Sequence, residues 1–475
     1  MSTPTPDATG LYDGGGQGVA LPPPPAHVHF MGVGGIGVSG LARILLARGY
    51  AVSGCDLLAS RLTEELTARG ATIYHGHSPA HLDGADLLVI SAAVRADHAE
   101  YAAAVARGLP VVKRAALLGL LLRPFRTIAV AGTHGKTTTS ALVAAILLDA
   151  GLDPTAFVGG EVPALGGNAR DGQGPWAVAE ADEYDRSFLR LAPSVAVVTN
   201  VEADHLDIYD NLAGVMTAFA SFVALLPEDG ALVACADDPR ARELAAGAPC
   251  RVVTYGLDEP ADWRARDVAL DGRGARFMLE APGLPPMHIN TPLSGRHNMA
   301  NTLAALAACA EAGVSPALAT QAVARFEMPR RRQEVKGRAR GGALVVDDYA
   351  HHPTEIRATL AGLRARYAGK RLRVVFQPHT YTRTRATLAE TGASFADADE
   401  VAIAEVYGAR ETHTLGVSGR DVVLAAQAAG APALFAPTLD DAVAWLAADD
   451  APDVVLVTMG AGDIWQAGER VTSDE

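Results

Sequence analysis

Ala131-Gly132-Thr133-His134-Gly135-Lys136-Thr137-Thr138-Thr139 is the stretch from which the rest of the chain is read. The apolar run Thr127 to Val130 before it reads as a buried strand, and the apolar pattern from Ser140 to Leu148 after it reads as a helix. Strand, glycine-bearing turn, Lys-Thr and helix together make a cradle for nucleotide phosphates. Loop N–H groups and the helix N-terminus present positive charge there. In this reading Gly132, Thr133, His134, Gly135 and Thr138 line the cradle. Lys136 neutralises the β- and γ-phosphates, and the Thr137 hydroxyl reaches Mg²⁺. The strict pattern has a glycine at position 130, where this chain has Val130. The competing reading is an ordinary glycine turn before a helix.

Lysine usage sharpens the point. The chain has only Lys113, Lys136, Lys336 and Lys370, and arginine carries the remaining basic charge. The single lysine kept in the middle of the chain lies in this loop.

With 475 residues, two to four domains are expected. A hydrophobic content of 49%, much of it alanine, is ample for several cores. The formal net charge of -14 argues against a general nucleic-acid or membrane-surface binder, so an anionic ligand must be held by local arginines and loop amides. Cys55, Cys235, Cys250 and Cys309 show no paired spacing, which suits a reducing cytoplasm and gives no zinc signature. No apolar run approaches the roughly 18 residues needed to span a bilayer. The N-terminus lacks a basic start followed by an apolar core, so no secretion signal is expected. Residues 1–25, rich in Gly, Pro and Thr, read as a disordered tail.

Three α/β blocks are expected after the tail, at 26–122, 123–327 and 328–475. Strand-like runs stand at Val28–Gly32, Leu87–Ser91 and Leu109–Val112 in the first block, and at Trp176–Ala179 and Val195–Thr199 in the second. In the third they stand at Ala343–Val346, Leu372–Phe376, Glu400–Ala404 and Asp453–Thr458. Alternation of strands with helices implies parallel sheets, with ligands at the carboxyl ends of strands.

The first block opens with Gly32-Val33-Gly34-Gly35-Ile36-Gly37 between a strand and a helix. That is the G-x-G-x-x-G pattern in its proper context, with Asp56 ending the next strand where an acid contacts a ribose. Taken alone the block suggests NAD and an oxidoreductase or regulator, but that leaves the phosphate loop and the third block unexplained. A UDP diphosphate satisfies the same geometry.

In the second block, Glu180 to Asp185 follows an apolar strand and reads either as Mg²⁺ ligands or as a solvated acidic loop. His205, in the polar cluster Thr199 to Asp207, reads as a metal ligand or a loop histidine. Gly295 to Asn298 precedes an alanine-rich helix, and Asn298 reads as a contact to a base edge or as a helix cap. In the third block Asp347-Asp348-Tyr349-Ala350-His351-His352-Pro353 follows a buried strand. Its two acids and two histidines at a strand's carboxyl end exceed what packing needs. Arg383 and Arg385, after another strand, suit a carboxylate or phosphate. Arg330-Arg331-Arg332 reads as a solvated linker or as a cluster that closes on a phosphate.

Taken in order, these motifs resemble the Mur ligase family of ATP-dependent, amide-forming enzymes, over nearly all of the chain after the tail. The resemblance implies three domains: a Rossmann-like UDP-binding domain, a P-loop ATPase-like central domain and a Rossmann-like C-terminal domain that closes over the site. It implies ATP and Mg²⁺ as cofactors, UDP-N-acetylmuramate and L-alanine as substrates, and a cytoplasmic monomer or weak dimer. Gly34, Gly35, Ile36 and Gly37 would hold the UDP diphosphate, with Asp56 and Ser91 on the same side. Lys136 and Thr137 would hold phosphates and metal, Glu180 and His205 would be metal ligands, and Asn298 and Arg331 would contact ATP. Asp348, Tyr349, His351 and Arg383 would form the catalytic and amino-acid side, with His351 as candidate base. Two departures stand out: Thr380 where some relatives have arginine (others pair threonine with a later Ala-Arg-Glu, here Ala409-Arg410-Glu411), and Gln333 where an aromatic is common. Relatives acting at later steps use a carbamylated lysine in the central domain. With no lysine between 137 and 335, the resemblance favours the alanine-adding branch.

Overall fold

A computed structural model of the chain describes residues 20–472 except 92, 93, 96 and 410, and gives the backbone alone for Asp207. The expected tail therefore falls largely on residues 1–19, outside the described residues. From Ala20 the described chain turns at Pro24-Pro25 into the first strand. Two compact units are formed. One holds the residues up to Val201 with Ala213–Thr254 and Ala304–Ala319; the other holds Glu202–Leu212, Tyr255–Leu303 and the residues from Thr320 onward.

The first unit contains a five-stranded parallel sheet in the order Thr72–His75, Ala51–Asp56, His27–Met31, Leu87–Ile90, Val111–Lys113. Leu87–Ile90 is a continuous apolar run because both faces are covered: Leu87, Leu88 and Val89 are fully buried, as are Val28 and Phe30 of the neighbouring His27–Met31. Strand order reverses between His27–Met31 and Leu87–Ile90. The crevice of such a sheet opens at that switch point, where Gly32 and Ser91 emerge.

The same unit carries Ala231–Cys235, Val195–Val198, Arg126–Ala131, Trp176–Glu180, Thr155–Val162 and Gly167–Arg170 as neighbouring strands in that order. Arg126–Ala131 lies between two parallel partners. Three carboxyl ends therefore meet: Gly132 after one strand, Glu180 at the end of the second and Thr199 after the third. The helix Lys136–Asp149 is buried at every residue from Thr137 to Leu147, as expected of a helix apolar on all sides.

The second unit carries a six-stranded sheet in the order Glu334–Arg338, Leu344–Asp348, Val454–Met459, Arg371–Phe376, Glu400–Ile403, Ala433–Phe435. The strand-like runs read from the sequence all form strands, within two residues at most ends. The expectation of wholly parallel sheets needs correction. Glu334–Arg338 pairs antiparallel with Leu344–Asp348, and Thr155–Val162 pairs antiparallel with Gly167–Arg170. Trp263–Asp271, Gly274–Glu280 and Met287–Thr291 form an antiparallel meander. These strands are joined by short turns, which permit only antiparallel pairing. The meander is half exposed and polar on one face, so its apolar content is too thin to stand out as a buried run.

Candidate functional site

In the phosphate loop, position 130 belongs to the strand: Val130 is fully buried and pairs with Glu180. The loop proper begins at Gly132, with φ +141°, where an added Cβ would stand 1.9 Å from Thr199 Oγ1. Gly135, with φ +84°, caps the helix in the left-handed region that favours glycine. The loop is held by the next strand's exit. Asn200 Oδ1 accepts the His134 N–H at 2.9 Å, and Thr199 Oγ1 donates to the His134 carbonyl at 2.6 Å.

Lys136 Nζ donates to the carbonyls of Gly132 (2.6 Å) and Thr133 (3.1 Å) and pairs with Glu183 at 2.9 Å. Burial alone would lower the lysine, but Glu183, with Asp182 and Glu180, holds it above its ordinary value. Burial pushes the Glu183 carboxyl up to about 7 despite the facing Lys136. Thr137 Oγ1 donates to Glu180 Oε1 at 3.0 Å, and Glu180 Oε2 accepts the Gly159 N–H at 2.6 Å. Of the acidic cluster, then, Glu180 and Glu183 turn to the loop, while Asp185 pairs with Lys113 at 3.1 Å. Hydroxyl and carboxylate oxygens brought together in this way suit a hard divalent cation such as Mg²⁺.

In the glycine loop, Gly35 caps the helix Ile36–Ala47. Asp56 Oδ2 accepts the Gly34 N–H at 2.8 Å, so the acid expected near a ribose also fixes the loop itself. Ser91 lies beside Gly32, its Oγ 3.5 Å from where a Cβ would stand. The Arg114 side chain approaches Gly37 to 3.4 Å by the same measure, which brings a cation to the helix N-terminus. Nothing near position 114 in the sequence signalled that role.

In the second unit, Asp348 is 3% exposed. Its oxygens accept the N–H groups of Gln333 and Ala350, each at 2.8 Å, and the Thr359 hydroxyl at 3.3 Å. Burial pushes it up to about 6 against the pull of Arg332. Arg331 pairs with Asp347 at 3.0 Å and donates to the Gly460 carbonyl at 2.6 Å. Arg331 and Arg332 both lie over the Tyr349 ring. His351 Nδ1 faces the Tyr349 carbonyl at 3.0 Å, and burial pushes the ring down to about 3, so it is neutral at physiological pH.

Arg383, on the short helix Tyr381–Ala386, grips Asp204 at 3.1 Å. Burial alone would raise Asp204, but Arg383, with His205 and His351, holds it well below the carboxylate range. The His205 amide donates to Asp204 Oδ1, and its Nε2 is 3.8 Å from Oδ2. Glu411 accepts the N–H groups of Tyr381 and Thr382, and so caps the helix that carries Arg383. Arg410, quoted with it above, lies outside the described residues. The cap reading of Asn298 is corrected: the helix Arg296–Glu311 has already begun there. The buried Asn298 amide donates back to the Ser294 carbonyl at 2.8 Å and accepts from Asn301.

The sequence placed Glu183 only among the candidate Mg²⁺ ligands of its cluster, not as the partner of Lys136, and gave Thr199, Asn200 and Asp204 no individual roles. Their only signal was their place at strand ends.

The chain matches three family models in order: "Mur ligase family, catalytic domain" over residues 27–126, "Mur ligase middle domain" over 130–309, and "Mur ligase, glutamate ligase domain" over 331–462. The UDP-N-acetylmuramate–L-alanine ligase of Caldanaerobacter subterraneus subsp. tengcongensis is 42% identical over 445 residues, 93% of this chain and 96% of that protein. The enzyme of the same name from Xanthomonas campestris pv. campestris is 43% identical over 474 residues, 98% of each chain. Among solved structures, UDP-N-acetylmuramate-alanine ligase from Thermotoga maritima superposes with a TM-score of 0.81 at 28% identity, covering 94% of this chain and 98% of that one. A murein peptide ligase from Psychrobacter arcticus gives 0.74 at 27% identity, with the same coverage of both chains. No described helix is long and apolar enough to cross a membrane. Two glycine loops on two sheets and an acid-and-arginine edge on a third follow one another in the order of those three models, and the chain belongs to the Mur ligase family.

Proposed function

We propose that this chain joins L-alanine to the lactyl carboxylate of UDP-N-acetylmuramate at the expense of ATP, in the cytoplasm, as a step in making peptidoglycan precursors. The observation that carries the reading is identity of 42–43% with alanine ligases along nearly the whole chain. We divide the chain at 26–122, 123–327 and 328–475 into UDP-sugar, ATP and amino-acid domains.

The substrate carboxylate attacks the γ-phosphate of ATP, giving an acyl phosphate and ADP. The alanine amine then attacks the acyl carbon, and the tetrahedral adduct collapses to amide and phosphate. Lys136 supplies positive charge where two anions must approach, which stabilises the first transition state. Thr137 and Glu180 would hold Mg²⁺, which when bound neutralises phosphate charge. His205 is assigned to the metal as well, tested by whether His205→Ala raises the Mg²⁺ requirement. Gly34 to Gly37 receive the UDP diphosphate on loop amides and the helix N-terminus, with Asp56 and Ser91 on the same side. Asn298 and Arg331 are assigned to ATP. On the amino-acid side, Asp348 holds the Gln333 and Ala350 amides and so sets the path of Tyr349 and His351. Arg383 is directed to the carboxylate of L-alanine. His351, held neutral by burial, is a weak base, which suits accepting a proton only as the attacking amine becomes acidic on bonding to the acyl carbon.

The test is phosphate release from ATP with UDP-N-acetylmuramate, comparing L-alanine, glycine, L-serine, D-glutamate and L-Ala-γ-D-Glu-diaminopimelate as acceptors. Release that needs both the sugar and L-alanine, with the amide seen by mass, is expected. Release with the tripeptide alone would move the chain to the murein-recycling branch.

A further inference from the structure

Beneath the glycine loop of the first sheet lies a cluster that the ligase chemistry does not use. His29 comes from the strand His27–Met31, Cys55 from Ala51–Asp56, His81 from the 3₁₀ turn Pro79–Leu82 and Glu100 from the helix Ala99–Ala106. His29, Cys55 and Glu100 are fully buried. One potential ligand atom from each of the four lies within 4.8 Å of all the others. His29 Nε2 is 3.2 Å and His81 Nδ1 3.3 Å from Glu100 Oε1. Yet all three atoms are buried and, close as they are, none makes a well-formed hydrogen bond. Three polar atoms so close, with Cys55 Sγ within 4.8 Å of each, are near enough for one cation to be shared among them. With ligand bonds of about 2.0–2.1 Å, a tetrahedral zinc site sets its nitrogen and oxygen donors about 3.3–3.4 Å apart.

We propose that His29 Nε2, Cys55 Sγ, His81 Nδ1 and Glu100 Oε1 bind one zinc-class divalent cation in a closed structural site. A thiolate and a carboxylate balance the charge of a dication, which a fully buried site requires. Two imidazoles and a thiolate select a borderline metal over Mg²⁺. The surroundings are those of a ligand set. His29 Nδ1 is 2.7 Å from Ser53 Oγ, which fixes the ring and leaves Nε2 facing Glu100. The His81 ring stacks on Tyr74 at 4.2 Å. His77 Nδ1, 3.1 Å from Cys55 Sγ and 3.2 Å from Glu100 Oε2, bridges the two anionic donors from outside. Without a cation, burial holds the Cys55 thiol protonated, so metal binding displaces one proton from it to solvent.

The site ties four separate elements together, and its Cys55 is the residue whose carbonyl accepts the N–H groups of Gly32 (2.9 Å) and Val33 (3.2 Å). The cation thus braces the strand end on which the glycine loop rests, well apart in chemistry from the oxygen-lined Thr137–Glu180 pair.

The full-length protein, expressed with zinc and gel-filtered without chelator, should carry about one zinc per chain by elemental analysis. Cys55→Ser and His81→Gln should lose most of it, whereas Glu180→Gln should keep it. Co²⁺-loaded protein should show a sulfur-to-metal charge-transfer band that Cys55→Ser lacks. A strong chelator should lower the melting temperature of the parent by about 5 °C or more and leave Cys55→Ser unmoved. Absence of bound metal together with no melting shift on adding Zn²⁺ would overturn the proposal and leave a proton-sharing histidine–glutamate network. Metal lost in Glu180→Gln but kept in His81→Gln would overturn it by assigning the ion to the phosphate loop.

Discussion

The two glycine loops of the first unit, Gly32–Gly37 and Gly132–Gly135, use one backbone plan in two electrostatic versions. Each leaves a central parallel strand and enters a helix N-terminus, and each meets a carboxylate at or just beyond the end of a neighbouring strand. In the first, Asp56 takes up a loop amide directly, and the nearby cation, Arg114, comes from another element. In the second, the loop carries its own cation, and Glu183 holds that cation instead of an amide. The first loop therefore offers amides and a helix terminus, which suits the proposed binding of a diphosphate that undergoes no chemistry. The second adds a buried charge, as required where phosphoryl transfer must be stabilised.

Removing the charge should break the comparison most sharply. Lys136→Ala is expected to lower kcat/KM by about 10³-fold or more in the phosphate-release assay. Calorimetry should show UDP-N-acetylmuramate binding unchanged; loss of both would mean that the two loops do not act separately.

Backbone substitutions should separate the loops next. Gly132→Ala drives a Cβ onto Thr199 at a left-handed φ, and is expected to cost about 2–3 kcal/mol in chemical denaturation and to abolish ATP binding. Gly34→Ala meets the end of the Asp56 side chain at 2.9 Å, which can turn away. It should leave ATP affinity intact and weaken only the UDP-sugar.

The acids sharpen the contrast at a smaller scale. Asp56→Asn keeps an acceptor for Gly34 but removes its charge, so a loss of about 1 kcal/mol in stability is expected, with no change in the KM for ATP. A drop in ATP affinity would contradict the division of labour.

The smallest effect concerns pH. Glu183 is held near 7 in the folded chain, above the ordinary value of about 4.3. The folded state therefore binds its proton more tightly, and this contribution to stability is full below about 4.3 and lost as pH rises through about 7. Protonation also releases Lys136 from its partner. ATP should bind a few-fold more tightly at pH 6 than at pH 8 beyond the titration of ATP itself, and Glu183→Gln should remove that excess. An unchanged slope in the variant would show that Glu183 does not compete with the nucleotide.

Both loops were legible in the sequence because their signals are local: an apolar strand, glycines at fixed spacing and a helix within about 15 residues. The strand-end acids were legible as clusters, since the run Asp347 to His352 exceeds what packing needs, while Glu180 to Asp185 also fitted a solvated loop. Their division was not. Nothing in that hexapeptide distinguishes Glu180, which meets Thr137, from Glu183, which meets Lys136, or from Asp185, which meets Lys113. The same holds for Arg383, whose partner Asp204 lies 179 positions away.

The sequence by itself determined the buried apolar strands, the two glycine loops, the order of three α/β blocks and the family, because apolar periodicity and motif spacing act over short stretches of chain. Only the tertiary structure decided which carboxylate neutralises which cation, that Asn298 lies inside its helix, that the Trp263–Thr291 segment runs antiparallel, and that His29, Cys55, His81 and Glu100 converge. Those outcomes depend on which strand ends and turns the topology places side by side. Because burial strengthens every charge so placed, the partners had to be set by the fold as a whole.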